Sequence, residues 1–203
     1  MEDLIVTIIL PFRRMIPKAG PTITPGSASF TSPGTYTFVV PYYNSLTADV
    51  RGGGGGGGGA RYSDSSIYYA SAGNYSYFAA PDATLIGYGG GGANGAVWSP
   101  PRNGDNGSPG TAAGGDGNIT GGGSAGGQGA IISAGGSLVG GTGGAGGRAY
   151  RTWVRSQWYT KLTPRTSITV VVGDGGAKSE CEPAYITQYN TNGQSGAVYI
   201  SWS

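Results

Sequence analysis

Aromatic side chains set among small polar ones are the residues of this chain best suited to chemistry, and the chemistry they suit is adhesion. Tyr62, Tyr68, Tyr69, Tyr75, Tyr77 and Phe78 fall within residues 61–82, a stretch rich in Ser, Ala and Asn and almost without charge. Tyrosine supplies rigid amphipathic area at low entropy cost, and Ser and Asn adapt their hydrogen bonds, which is how paratopes bind. Trp98-Ser-Pro-Pro-Arg102, followed by Asn103, Asp105 and Asn106, is a loop shaped by Pro and Asx residues. An exposed Trp98 there would stack on a sugar ring while the Asp and Asn side chains bond its hydroxyls. Tyr88 and Asn94 flank Gly89–Gly92 and join the same surface if these loops cluster. The candidate receptor-binding residues are therefore Tyr68, Tyr69, Tyr75, Tyr77, Phe78, Tyr88, Trp98 and Arg102. Each has a plainer reading: tyrosines packed over glycine backbone that has no side chains of its own, and Trp98 as an end plug.

Other constellations carry less. Arg148, Arg151, Arg155, Lys161 and Arg165 interleave with Tyr150, Trp153, Trp158 and Tyr159, a basic and aromatic pattern that could take a phosphorylated polysaccharide or a single strand of nucleic acid. Alternation on a strand explains it equally, charges out and aromatics in, with basic residues guarding an edge. Asp105, Asp116 and Asp174 stand in glycine-rich surroundings, but no loop has the ligand density of a calcium site. Cys181 lies between Glu180 and Glu182, acidic neighbours that disfavour a thiolate. Gly173-Asp-Gly-Gly176 lacks the Lys-Ser/Thr of a phosphate loop. The chain has no histidine, hence no commonest general base or metal ligand, and its 10 acidic residues are scattered rather than paired across a groove as glycan hydrolysis requires. A non-enzymatic protein without cofactor or metal is expected. A net charge of +2 gives no nucleic-acid footprint.

The elements that must position these residues are strands. The 203 residues include 43 Gly and 12 Pro, an excess whose default meaning is disorder, yet 14 Tyr, 4 Trp and 4 Phe contradict a disordered composition. Residues 1–51 hold three glycines, residues 52–147 hold 35 and residues 148–203 hold five. Before the glycine-rich centre, Ser27–Thr31, Thr35–Pro41 and Leu46–Arg51 alternate at period two; after it, Tyr150–Tyr159, Ser167–Val172 and Ala197–Trp202 are strand-like. With no helix-period segment, the expected class is all-β: an antiparallel β-sandwich formed by N- and C-terminal strands, with a glycine-rich centre and long loops. The apolar run Leu4, Ile5, Val6, Ile8, Ile9 and Leu10 is too short to span a membrane. Preceded by Glu2 and Asp3 and followed by Pro11, it lacks a secretory-signal pattern and reads as a docking strand within an attachment segment, residues 1–26, ahead of a glycine-rich β domain, residues 27–203.

Glycine in the centre has two readings. Gly52–Gly59 is an unbroken octaglycine, and from Gly114 to Gly147 nine of the twelve positions at three-residue spacing are Gly. Period three is that of an extended helix with about 3.1 Å rise and no internal hydrogen bonds. Chains of that kind without Cβ atoms can bond one another laterally, as a polyglycine-II-like bundle. The other reading is a set of flexible loops.

Phe30-Thr-Ser-Pro-Gly-Thr-Tyr-Thr-Phe-Val-Val-Pro41 and Ser45-Leu-Thr-Ala-Asp-Val-Arg-Gly-Gly-Gly54, with Gly147-Arg-Ala-Tyr150, Thr166-Ser-Ile-Thr-Val-Val-Val-Gly-Asp-Gly-Gly176 and Gly196-Ala-Val-Tyr-Ile-Ser-Trp202, resemble the glycine-rich domain of bacteriophage tail-fibre and tail-tip proteins. In style the chain is also similar to polyglycine-II adhesins at the tips of long tail fibres. The resemblance covers about residues 27–203. It implies a virion protein, made in the host cytoplasm and exposed on the particle, that recognises a host outer-membrane glycan or protein while contacting other fibre or tail subunits, as a homotrimer or a cap on a trimeric fibre. The alternative is a minor assembly protein docked by its N-terminal strand without a receptor role.

Overall fold

The computed structural model describes residues 21–62, 66–133, 137–155, 162–182 and 186–203, so the Leu4–Leu10 docking run lies outside the described residues. In chain order the strands are β1 (Gly26–Phe30), β2 (Gly34–Val39), β3 (Ser45–Arg51), β4 (Ala60–Arg61), β5 (Ser76–Ala80), β6 (Ala83–Gly87), β7 (Ala96–Val97) and β8 (Ala112–Ala113). They continue as β9 (Gly117–Ile119), β10 (Ile131–Ile132), β11 (Leu138–Val139), β12 (Arg148–Val154), β13 (Ser167–Val172), β14 (Ile186–Gln188) and β15 (Ala197–Trp202). There is no helix among the described residues.

Two five-stranded antiparallel sheets, β1-β15-β3-β12-β9 and β2-β13-β5-β6-β8, pack as a β-sandwich. Their alternation is the cause: Leu46, Ala48 and Val50 of β3 are buried while the residues between them are not, and they face β5 and β6 of the other sheet, where Phe78 and Leu85 are buried, as β15 faces β13 with its buried Ile168, Val170 and Val172. N- and C-terminal strands do share a sheet, since β15 lies between β1 and β3. Phe78 of β5 holds the centre, its ring 5.7 Å from Trp153 and 6.3 Å from Phe38. Tyr43 is fully buried and donates its hydroxyl to the Leu162 carbonyl at 2.6 Å. Burial is the first cause that pushes this phenol above its ordinary value of 10.0.

From β3 the chain runs straight into Gly52–Gly59, all eight of which are buried. Their N–H groups point in three directions in turn. Gly52, Gly55 and Gly58 donate to Gly147, Gly144 and Gly141 at 2.8–2.9 Å; Gly53 and Gly56 donate to Asn74 and Ser71; Gly54 and Gly57 donate to Gln194 and Thr191. The carbonyls repeat the rule toward three other chains: Gly53, Gly56 and Gly59 accept from Gly90, Ala93 and Ala96, Gly52, Gly55 and Gly58 from Ser124, Gly127 and Ala130, and Gly54 and Gly57 from Gly176 and Ser179. Partner numbers step by three in every case, downward for the first set of chains (antiparallel) and upward for the second (parallel). Six chains therefore ring the octaglycine, alternating in direction, and all its backbone polar groups are paired once Gly59 donates to the Ser179 hydroxyl. Full pairing is what burial of bare backbone demands. The bundle is not confined to the 52–147 insert, because segments 174–182 and 190–196 complete the ring.

Sterics explain the composition. A Cβ on Gly55 would collide with the Gly91 carbonyl, on Gly57 with that of Gln128 and on Gly126 with that of Gly143, backbone atoms that cannot swing aside. Outer chains need fewer glycines: along residues 102–111 only Gly104, Gly107 and Gly110 face inward. Where the ring departs from glycine, buried Asn190 donates to the Gly57 and Ser179 carbonyls at 2.9 and 2.7 Å. Residues 114–120, part of the period-three stretch, are not bundle chain. They form a turn and β9, and Gly114 and Gly121 have φ of +81° and +67°, the left-handed region that glycine enters without penalty.

Candidate functional site

Each excursion through the bundle leaves the sandwich on one chain and returns on the next, so its reversals gather at the far end. There β4 pairs with β7 in parallel, and β10 lies between β11 and β14. A second, small apolar cluster of Ala60, Ala96, Ala130, Ile132 and Leu138 closes that end.

Four of the eight expected receptor-binding residues come together at this tip. Trp98 is half-buried, packs on the apolar cluster and meets the exposed Tyr62 at a centroid distance of 5.3 Å. It is thus both a plug and part of the surface. Tyr68 lies under the Arg61 guanidinium, 3.8 Å from its ring centroid, a cation–π pair that holds the ring flat against the bundle. Its neighbour Tyr69 points outward, 69% exposed, and bridges Asn94 through the backbone. Arg102 closes the 97–102 turn by mutual backbone bonds with Val97 and reaches Asp105 at 2.9 Å, which also accepts from Asn94 at 3.2 Å. The tip offers aromatic faces and an exposed Arg–Asp–Asn set, without charge imbalance between Arg102 and Asp105.

The other four lie elsewhere. Tyr75, Tyr77 and Tyr88 sit on the outer face of the β5-β6 hairpin and the start of the bundle, lining with Ala79, Thr84 and Ile86 an apolar depression of about 390 Å³. Tyr75 and Tyr77 stack at 6.1 Å and 21°. So Tyr88 and Asn94 belong to different surfaces. Phe78 corrects the expectation: at 0% exposure it is core and can touch no receptor, because period two on β5 turns Tyr77 out and Phe78 in. Part of the aromatic stretch 61–82 is thus sheet: residues 76–80 pair with 83–87 as the inner hairpin of the second sheet. Tyr150 likewise departs from the rule of charges out and aromatics in, since it shares the outer phase with Arg148 while Trp153 faces the core.

Among the described residues no three or more His, Cys, Asp or Glu side chains lie together as a metal would require, and no helix is long and apolar enough to cross a membrane. Asp116 accepts from the Thr152 amide at 3.0 Å and Asp82 from the Trp153 indole at 3.1 Å, so these carboxylates brace the sheets. Neither family models, nor curated proteins, nor solved structures gave any match to the chain.

Proposed function

We propose that the chain is a non-enzymatic bacteriophage virion protein of a tail fibre, spike or tail tip, and that its distal loops recognise a glycan or protein of the host outer membrane. We further read its glycine bundle as polyglycine-II-like, a reading supported by donor directions that repeat every three residues. One observation carries the function: the bundle gathers Tyr68, Tyr69, Trp98 and Arg102 at the end remote from the sandwich, on reversals that the core does not constrain. A scaffold whose interior is backbone leaves those loops free in sequence, as recognition loops on a rigid frame should be. Individually weak aromatic and polar contacts gain strength when several copies act on one particle.

The purified full chain, fluorescently labelled, is expected to bind cells of some strains in a Gram-negative panel, and Tyr69→Ser combined with Arg102→Ser to lower that binding at least about tenfold with an unchanged melting temperature. Deleting residues 1–20 should leave cell binding intact while removing incorporation into particles. A folded chain that binds no strain defeats the receptor reading and leaves an assembly role, with docking through Leu4–Leu10.

A further inference from the structure

The outer face of the β1-β15-β3-β12-β9 sheet carries a hollow that tip recognition does not use. Register places Tyr199 of β15, Asp49 of β3 and Tyr150 of β12 in a single row. Adjacent strands lie about 4.8 Å apart, so the two tyrosine backbones stand about 10 Å from each other with the shorter Asp49 between them. The hollow measures about 350 Å³, and Ser27, Ser29, Thr47 and Ser201 contribute hydroxyls to its lining. Tyr150 and Tyr199 are 38% and 39% exposed, whereas the Asp49 side chain retains 15%.

Asp49 is clamped. Arg148 donates Nε to Oδ1 at 2.9 Å and Nη2 to Oδ2 at 2.7 Å, and Arg51 adds Nη2 at 3.1 Å. The same guanidiniums lie over the tyrosines, Arg51 5.0 Å from the Tyr199 centroid and Arg148 5.5 Å from that of Tyr150. The hydrogen bond that Arg148 donates to Asp49 is the first cause that raises Arg148 above its ordinary pKa. Two guanidiniums against one carboxylate leave one positive charge, and each guanidinium has five N–H donors, of which Asp49 takes two from Arg148 and one from Arg51. A peptide strand is a poor occupant, since it would need an open sheet edge and β15, β3 and β12 are all flanked on both sides.

We propose that this hollow binds an acidic saccharide, with a pyranose ring resting against Tyr150 and Tyr199, its carboxylate on the remaining N–H groups of Arg148, which lines the hollow, and its hydroxyls on Ser27, Ser29, Thr47 and Ser201. Guanidinium matches carboxylate by charge-assisted hydrogen bonds, and Ser and Thr hydroxyls can donate to or accept from those of a sugar. The site stands apart from the tip and does not depend on the receptor reading.

Methyl β-glucuronoside and methyl β-glucoside form a matched pair of probes for NMR titration of the full chain. The glucuronoside is expected to shift the ring signals of Tyr150 and Tyr199 and to bind about tenfold tighter than the glucoside, the effect of about one charge-assisted hydrogen bond. Tyr150→Thr with Tyr199→Thr should weaken glucuronoside binding at least about tenfold, and Arg148→Gln should narrow the difference between the probes. Ser29→Glu puts an acid beside Tyr199 on an exposed position and should abolish glucuronoside binding even if the tyrosine pair proves necessary for folding. No shift with the glucuronoside, equal affinity for the two probes, or glucuronoside binding that survives Ser29→Glu overturns the proposal.

Discussion

The sandwich and the glycine bundle solve one problem in opposite ways. In the sandwich each strand pairs its backbone with at most two neighbours, and the space between sheets is filled by side chains such as Leu46, Phe78 and Ile200. In the bundle the central chain pairs its backbone with six neighbours and leaves no space to fill. One region derives its order from apolar area removed from water, the other from hydrogen bonds satisfied in a place where water cannot compete. Volume is therefore regulated in opposite senses. The sandwich suffers when atoms are removed, and the bundle suffers when they are added.

The largest expected effect tests that inversion directly. Gly55→Ala adds one methyl group against the Gly91 carbonyl and should cost at least about 4 kcal/mol, since backbone on every side prevents the relaxation that softens overpacking elsewhere. Denaturant titration measures it. Ala125→Ser, on an exposed position next to Gly126, should stay within about 0.5 kcal/mol. If Gly55→Ala melts like the parent, the bundle is not close-packed and the contrast collapses.

Next comes the sandwich. Leu46→Ala should cost about 3 kcal/mol by lost transfer energy and a residual cavity, less than the single added methyl at Gly55. The reverse order of these two variants would break the comparison.

The smallest effect lies where the sandwich does use a buried hydrogen bond. Tyr43→Phe should cost about 1 kcal/mol, because the Leu162 carbonyl loses its donor. The folded-state pKa of Tyr43 is raised, so its contribution is fully present below the ordinary value of 10.0 and is lost as pH rises from there through the higher folded value. Stability of the parent should therefore fall in that alkaline window, and Tyr43→Phe should flatten the fall.

Period two made the sandwich strands legible at both ends of the chain, where apolar and polar residues alternate cleanly. The β5-β6 hairpin was not legible: Ser76–Ala80 carries Tyr77 and Phe78 among small residues, and nothing local tells a displayed ring from a buried one. In the sequence the period-three rule stands out in residues 114–147. It also governs Gly104, Gly107 and Gly110, and Gly173, Gly176, Gly193 and Gly196, but there polar and turn-forming residues such as Asp105, Asn106, Pro109, Asp174 and Gln194 lie between the glycines and make the chain resemble a turn-rich loop. At the tip, Trp98 and Tyr68 could be named as candidates, yet their separation from Tyr75, Tyr77 and Tyr88 depends on where along the bundle axis each residue falls.

By itself the sequence determined that the chain is all-β and which positions carry no Cβ. Those are local properties: alternation decides which face of a strand can be buried, and a missing side chain decides how closely another backbone can approach. Only the tertiary structure decided which chains become neighbours, because a backbone of period three sends donors in three directions and acceptors in the three between them, and any chain of like period and fitting direction can fill each place. The reversals join those chains in one order, and that order brings Tyr68, Tyr69, Trp98 and Arg102 to one end, while strand register sets Tyr150 and Tyr199 in one row with Asp49.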